Sequence, residues 1–306
     1  MILQFGVEFK EYYELLVSAW AASFIKQQGQ LDLSPDWFKW CTAKLSTKNY
    51  ALLDEVRRMD PSIPIALLLA YPEDTAAGFI EWVNSLSGNE AFEIVYSFDP
   101  NGQRKPPQNL RKACQTLAAG LKMWNDLYFG RLAKPILQDV QVRAQADQER
   151  TLEFENQPQE LIKNLTQSLI WEAQSVTTIT LIPQAHLSPW PVYQIGGDHG
   201  VIFYPVQSRL LNKNPESTIL ERLLKALGDP SRLQILQLIG ENVVRFTDLV
   251  EQSGLAKSTV HHHIITLRSA GLLWLHVSDD TSTRFSIRWE TIKNVSPLLE
   301  GILLGK

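Results

Sequence analysis

The chain has little cysteine and no long apolar run. Its 306 residues include two cysteines, Cys41 and Cys114, which lie too far apart in sequence to form a CxxC-type zinc or redox motif. No apolar run approaches the roughly 20 residues that span a bilayer, and the first residues lack a basic leader with a small-residue cleavage site. We therefore expect a cytoplasmic protein with free thiols and no membrane association.

Sequence patterns that mark enzymes are also missing. Neither a Gly-x-Ser-x-Gly elbow nor a Walker-type loop occurs, and the glycine-rich segment 196–200 lies between strand-like segments rather than before a helix. His186, Asp198 and His199 could meet across a sheet, but two loop histidines and a turn aspartate are the simpler interpretation. We expect no catalytic residues, no metal and no cofactor, and we predict that the chain is not an enzyme.

Residues 1–213 are predicted to form one α+β domain that is mostly helical. Alternating apolar residues predict a strand over 3–9, and β-branched residues predict strands over 176–182 and in a hairpin over 192–206. The first strand is expected to pair with these later ones in a small sheet. Amphipathic spacing predicts helices from Lys10, over 34–60, 73–86, 108–130 and 134–150, and from Pro158 to about Gln174.

This domain is also rich in tryptophan, which permits two interpretations. Its seven tryptophans could line an aromatic pocket for a small-molecule effector, although core packing is the simpler role for most of them. They are Trp20, Trp37, Trp40, Trp82, Trp124, Trp171 and Trp190.

A polar segment with a proline, 211–216, marks the predicted boundary to a C-terminal domain over residues 216–306. Helices are predicted over 217–227, from the Asp229-Pro230 cap, from Thr247 and over 257–270, with a glycine turn at Gly254 before the last of these. Two strand-like segments, 272–277 and 284–289, flank a polar hairpin, and an apolar helix follows within 292–304, where Ser296-Pro297 resembles a cap. This order of elements predicts a winged helix-turn-helix.

The helix over 257–270 has the character of a recognition helix. Val260, Ile264 and Leu267 form an apolar stripe, and His263 is expected to be partly buried beside it. No acidic residue occurs from Gln252 to Ser278, although the chain carries a net charge of −4. The predicted DNA-binding residues, from the helix and the wing, are Lys257, Ser258, Thr259, His261, His262, Arg268 and Arg284.

Three consecutive histidines, 261–263, also suggest a metal site. Successive helical residues point about 100° apart, so three in a row cannot converge on one ion, and we predict no metal there. If His261 or His262 contacts phosphate or base acceptors, DNA affinity should rise as pH falls through about 6.5, where an ordinary imidazole titrates.

Two motifs resemble the ArsR family of winged-helix repressors. They are Leu224-Lys-Ala-Leu-Gly-Asp-Pro-Ser-Arg-Leu-Gln-Ile-Leu236 and Gly254-Leu-Ala-Lys-Ser-Thr-Val-His-His-His-Ile-Ile-Thr-Leu-Arg-Ser-Ala-Gly-Leu272. The resemblance covers about 90 residues and implies a homodimer that binds a double-stranded DNA operator, with the helices over 217–227 and 292–304 pairing the subunits. The segment 245–252 lacks the cysteines with which many members sense metals, so metal sensing is not implied.

We therefore predict a sequence-specific DNA-binding transcriptional regulator, an ArsR-like repressor whose N-terminal domain binds an effector or extends the dimer. Two alternatives are an enzyme-like N-terminal domain fused to a regulatory module, and a winged helix that binds protein instead of DNA.

Overall fold

The computed structural model describes residues 3–24, 30–99, 109–280 and 282–304, which fold into two compact units. The first unit comprises Met1–Glu155 and Ser175–Leu211, and the second comprises Asn156–Gln174 and Asn212–Lys306. The predicted domain boundary at 213–216 lies next to Asn212, from which the chain belongs to the second unit up to Lys306. The sequence patterns did not place residues 156–174 in that unit, because they join it through a strand pairing that is distant in sequence.

The prediction of an α+β chain that is mostly helical is confirmed. The strands are β1 Gln4–Val7, β2 Leu169–Trp171, β3 Thr178–Gln184, β4 Val192–Gly196, β5 His199–Pro205, β6 Val244–Arg245, β7 Leu273–Val277 and β8 Arg284–Ile287. Among the described residues, no helix is long and apolar enough to span a bilayer.

Among the residues that the structure describes, the first unit contains nine helices. They are α1 Glu11–Ser23, α2 Pro35–Lys44, α3 Thr47–Arg58, α4 Ser62–Ala70, α5 Ala76–Ser85, α6 Gly88–Phe98, α7 Leu110–Trp124, α8 Gly130–Leu132 and α9 Lys134–Glu153, with a π-helical turn, Asn125–Phe129, between α7 and α8. α1 and α9 pack on opposite faces of the unit's small sheet, against Phe203 and Tyr204 of β5 respectively. The single helix predicted over 34–60 is two helices, because the Ser46 side chain accepts from the Asn49 N–H and starts a new one. The sequence patterns missed α4 and α6.

The sheet of the first unit has the order β1-β3-β5-β4. β1 pairs with β3 and β3 with β5 in parallel, whereas β4 and β5 form an antiparallel hairpin. The prediction that the first strand pairs with the later ones is therefore confirmed. α9 lies along this sheet, where its buried Asp147 accepts a hydrogen bond from Tyr204 Oη of β5 at 2.9 Å.

Aromatic side chains fill much of the core between these helices. Trp124 is fully buried, Trp20 and Trp37 are buried, and Trp40 packs against the cluster from its edge. Core packing is thus confirmed as the role of these tryptophans. Both cysteines are buried and free, and burial raises the pKa of the Cys41 thiol to about 12.

The second unit is the winged helix, extended by one helix and one strand from residues 156–174. Its helices are α10 Pro158–Thr166, α11 Pro215–Leu227, α12 Pro230–Ile239, α13 Phe246–Ser253, α14 Lys257–Ser269, α15 Trp289–Lys293 and α16 Val295–Leu304. Its sheet has the order β2-β7-β8-β6, in which β7 and β8 form the wing hairpin and β2 runs parallel to β7.

Three predictions for this unit were wrong in detail. The helix predicted over 158–174 ends at Thr166, because Gln167 adopts a left-handed conformation with φ of 56° and the chain then enters β2. α13 begins at Phe246 after Arg245, so Thr247 is not its cap. The helix within 292–304 is preceded by α15 and begins at Val295 rather than at the Ser296-Pro297 cap.

Candidate nucleic-acid interface

The helix-turn-helix is built from α13 and α14, with α12 packed beneath them. The side chain of Asp229 caps α12 by accepting from the Arg232 N–H at 3.1 Å, as predicted from the Asp-Pro pair. Gly254 turns the chain between α13 and α14 with φ of +67°, a conformation that a side chain would strain. The Asp229 cap fixes the start of α12, and the Gly254 turn sets the direction in which α14 leaves α13.

One face of α14 is buried in the core of the unit. Val260, Ile264 and Leu267 are at most 3% exposed, and His263 is 8% exposed beside them. The apolar stripe and the buried position of His263 are therefore confirmed. Burial lowers the pKa of His263, and the nearby carboxylate of Asp229 opposes this shift.

The opposite face of α14 is open to solvent. It presents five predicted site residues that are all exposed: Lys257, Ser258, Thr259, His261 and His262. They occupy the first turns of the helix, the part that enters the major groove in helix-turn-helix proteins. The structure thus brings these five together on one surface, and their contact with DNA stays a prediction.

The C-terminal end of α14 is held inside the unit. Arg222 of α11, a buried side chain, donates from Nη1 to the carbonyl of Ser269 at 2.8 Å. A cation at a helix C-terminus is favourable because the last carbonyls carry partial negative charge. Arg268, another predicted site residue, is half-buried at this end and lies apart from the exposed N-terminal face.

The wing arginine has a partner that sequence reasoning missed. Arg284 Nη2 donates to Oε2 of Glu172 at 3.0 Å, and Glu172 follows β2 directly. Oε1 of the same carboxylate lies 2.8 Å from Nδ1 of His276. Arg284 was predicted to contact the DNA backbone, but in this structure its guanidinium is occupied by an acid more than 100 residues away. No local pattern signals such a pairing.

The first unit contains a buried hydrogen-bonded chain that the sequence patterns also missed. Glu14 Oε1 lies 2.5 Å from His186 Nδ1, and His186 Nε2 lies 2.8 Å from Tyr128 Oη. His186 therefore does not join Asp198 and His199, which bond to Thr177 and Thr180 respectively. Since Glu14 and His186 are fully buried, their arrangement positions α1 against the chain after β3.

Among the comparisons with known proteins, the family model agrees with this geometry. The family model of the arsR family of bacterial regulatory proteins matches residues 229–273, which span α12, α13, α14 and the first residue of β7. A comparison with curated proteins finds no match. Among solved structures, a fragment of a possible transcriptional regulatory protein from Mycobacterium bovis matches with 21% identity and a TM-score of 0.24, over 29% of this chain and 92% of the fragment.

The matched residues coincide with the helix-turn-helix, and the strands that follow form its wing. The second unit of this chain therefore contains a winged helix-turn-helix that matches the arsR family of bacterial regulatory proteins over residues 229–273.

Proposed function

We propose that the protein is a cytoplasmic, homodimeric transcriptional repressor that binds a double-stranded DNA operator of dyad symmetry and acts by binding, without catalysis. The observation that carries this proposal is the division of α14 into a buried apolar face and an exposed face of short hydroxyls, imidazoles and Lys257. Those side chains donate and accept at base edges and phosphates without requiring a cofactor.

The local charge supports a nucleic-acid partner. Residues 216–306 hold ten Lys and Arg and ten Asp and Glu, so the domain as a whole is neutral. The acid-free stretch from Gln252 to Ser278 nevertheless contains all of α14 and β7. A polyanion would approach this surface without meeting a carboxylate on α14 itself, which favours DNA over a protein partner.

Dimerisation is supported by apolar side chains that the single chain leaves exposed. On α16, Ile302, Leu303 and Leu304 are 39%, 74% and 64% exposed, and Leu224 of α11 is 46% exposed. α11 and α16 pack against each other, so these side chains belong to neighbouring helices. A second copy would remove them from water and would place two recognition helices on successive half-sites.

The first unit is the proposed effector-binding part, and a small molecule is the proposed effector. This unit is linked to the winged helix by three chain crossings, at 155–156, 174–175 and 211–212, through which a change in one unit can reach the other. Regulation requires the effector to bind the DNA-competent and DNA-incompetent states with unequal affinity.

The test is binding of the purified full-length chain to the DNA upstream of its own coding sequence and to a scrambled duplex, across a salt series. We expect tighter binding to the upstream DNA and a steep salt dependence. Thr259→Ala combined with His262→Ala should abolish the preference and leave the oligomeric state unchanged. Gln234→Ala combined with Gln237→Ala, two exposed residues of α12, is the matched control and should bind as the unaltered protein does.

Absence of binding to any duplex at low salt would overturn the proposal. Equal affinity of the Thr259→Ala/His262→Ala protein and the unaltered protein would remove α14 as the reading element.

A further inference from the structure

The wing of this protein is covered along one edge by a strand from outside the helix-turn-helix. β2 runs parallel to β7, with Leu169 opposite Leu275 and Trp171 opposite Val277. The ladder is extended at both ends, since Leu275 N–H donates to the Ser168 carbonyl at 2.9 Å and Glu172 N–H donates to the Val277 carbonyl at 2.7 Å. We call residues 167–174 the wing strap.

The backbone at both ends of the wing strap bonds to side chains of the wing, those of Arg288 and Asp279. Arg288, just after β8, donates from Nη1 to the Gln167 carbonyl at 2.7 Å and packs its guanidinium over the Trp274 ring at 5.0 Å. At the other end, the Gln174 N–H donates to Oδ2 of Asp279 in the wing loop at 2.9 Å. The strap is therefore attached to the hairpin before, along and after β2.

The face of this sheet that lies away from the core carries a compact polar cluster. His276 and Arg284 are directly opposite each other across β7 and β8. Glu172 bonds to both of them, and His276 Nε2 lies 2.8 Å from Ser286 Oγ. The side chains of Glu172 and Arg284 are 37% and 26% exposed, whereas that of His276 is 5% exposed.

The negative charge of Glu172 beside Arg284 is unfavourable for a wing that contacts DNA phosphates. A wing that touches the DNA backbone does so through cations, and each phosphate contact releases condensed counterions. Arg284 is one cation at the base of this wing, opposite Arg245 of β6, and its partner is a carboxylate that would itself be repelled by phosphate. While Glu172 is in place, Arg284 contributes little net positive charge at this position.

We propose that Glu172 masks Arg284, so that the wing strap weakens DNA binding until it detaches from β7. This inference rests on the proposed DNA-binding function and specifies its regulation. The strap lies between residues 155 and 175, where the chain leaves the first unit and returns to it. An effector that moves the backbone of the first unit near residues 155 and 175 could therefore shift the wing strap, and Glu172 with it, through the continuous chain.

The test is a double-mutant cycle on the full-length chain, with Glu172→Gln, Arg284→Gln and the double variant. The probe is a mixed-sequence duplex of about 30 base pairs, because the electrostatic part of binding does not depend on sequence. Glu172→Gln should bind about threefold to tenfold more tightly, and the slope of log K against log salt should steepen by about 0.9, the value of one phosphate contact. Arg284→Gln alone should change affinity less than about twofold, and the double variant should lose the gain.

Glu160→Gln on α10 is the matched control. This substitution also removes one negative charge from residues 156–174, but Glu160 pairs with Lys163 and not with Arg284. The salt slope of Glu160→Gln should therefore equal that of the unaltered protein. Glu172→Asp keeps the charge and shortens the side chain by one methylene, and it should give a smaller gain than Glu172→Gln. Thermal unfolding of each variant verifies that the fold is kept.

Three results would overturn the inference. They are an unchanged salt slope in Glu172→Gln, a gain that persists in the double variant, and a several-fold loss of affinity in Arg284→Gln while Glu172 is present. If the unaltered protein binds DNA and any of these is seen, the inference fails and the proposed function stands. If neither the unaltered protein nor Glu172→Gln binds the duplex at low salt, both fail.

Discussion

The carboxylate of Glu14 in α1 lies 2.5 Å from Nδ1 of His186, and both side chains are fully excluded from solvent. The same carboxylate accepts from the backbone N–H groups of Ala185 and His186 at 3.1 Å. Because a carboxylate only accepts, Nδ1 of His186 donates to it, and Nε2 on the other side of the ring lies 2.8 Å from the Tyr128 hydroxyl. One acidic side chain thus satisfies three donors that would otherwise be buried without a partner.

Removal of this carboxylate should destabilise the first unit strongly. We expect Glu14→Ala to lower the free energy of unfolding by about 3 kcal/mol or more, since it leaves three buried donors unpaired and an empty volume. Tyr128→Phe should cost only about 1 kcal/mol, because it removes one hydrogen bond. Urea unfolding followed by tryptophan fluorescence measures both, with exposed Glu153→Gln as the control. A Glu14→Ala loss no larger than that of the control would show that the cluster is dispensable.

The Asp229 cap should contribute about 1 kcal/mol to the free energy of unfolding of the second unit. Asp229→Ala removes the acceptor of the Arg232 N–H at the start of α12, and a lost N-cap typically costs about that much. Asp229→Ser keeps a capping oxygen and should recover most of the loss. The urea unfolding midpoints of the unaltered protein, Asp229→Ala and Asp229→Ser are compared in one buffer. Recovery in Asp229→Ser distinguishes capping from other roles of the Asp229 side chain. Equal losses for alanine and serine would exclude capping as the cause.

Acid should weaken the second unit through His263. Burial lowers the pKa of this imidazole, and Arg232 and His262 lower it further, while Asp229 acts in the opposite direction. The unfolded chain therefore binds a proton near pH 6.5 that the folded chain resists, so the stability contributed by neutral His263 is complete above about pH 6.5 and is lost as pH falls below it.

The comparison is between the unaltered protein and His263→Gln at pH 7.5 and 5.5. We expect the unaltered protein to lose more unfolding free energy over this interval than the variant does. His199 in the first unit also has a pKa lowered by burial, so its contribution remains in both proteins and cancels in the difference. Identical losses in the two proteins would mean that His263 does not couple folding to pH.

Sequence patterns correctly predicted the structural features that depend only on residues close together in sequence. The Asp229-Pro230 cap, the Gly254 turn and the apolar stripe of α14 each follow from residues within a few positions of one another, and all three are confirmed. The exposed face of α14 followed from the same stripe, because a helix that buries one side presents the other.

Pairings between distant segments were beyond such patterns. The residues of β2 were predicted to be the end of a helix, because the strand with which they pair, β7, lies about 100 residues later in the sequence. Glu172 and Arg284 are ordinary surface charges in sequence, and Glu14 and His186 are separated by the whole helical part of the first unit. Nothing in the composition around these residues indicates their partners, because the contacts are created by the tertiary fold.

A charge placed on α16 should separate the proposed dimer. Leu303 is 74% exposed in the single chain, and burial of such a side chain contributes about 1.5–3 kcal/mol. Leu303→Lys would force an ammonium group into that apolar contact on both subunits, since a two-fold interface repeats every substitution. We expect a monomer at micromolar concentration, with a melting temperature close to that of the unaltered protein because the side chain is exposed within one chain.

Leu152→Lys is the matched control for this experiment. Leu152 lies on α9 and is 79% exposed, so the same substitution there changes the same charge on a surface with no proposed partner. Sedimentation velocity should give a dimer for the control and a monomer for Leu303→Lys, and affinity for a two-half-site operator should fall about tenfold or more only in the latter. A dimer that survives Leu303→Lys would move the subunit interface away from α16, whereas an unaltered protein that is itself monomeric would require each helix-turn-helix to bind DNA alone.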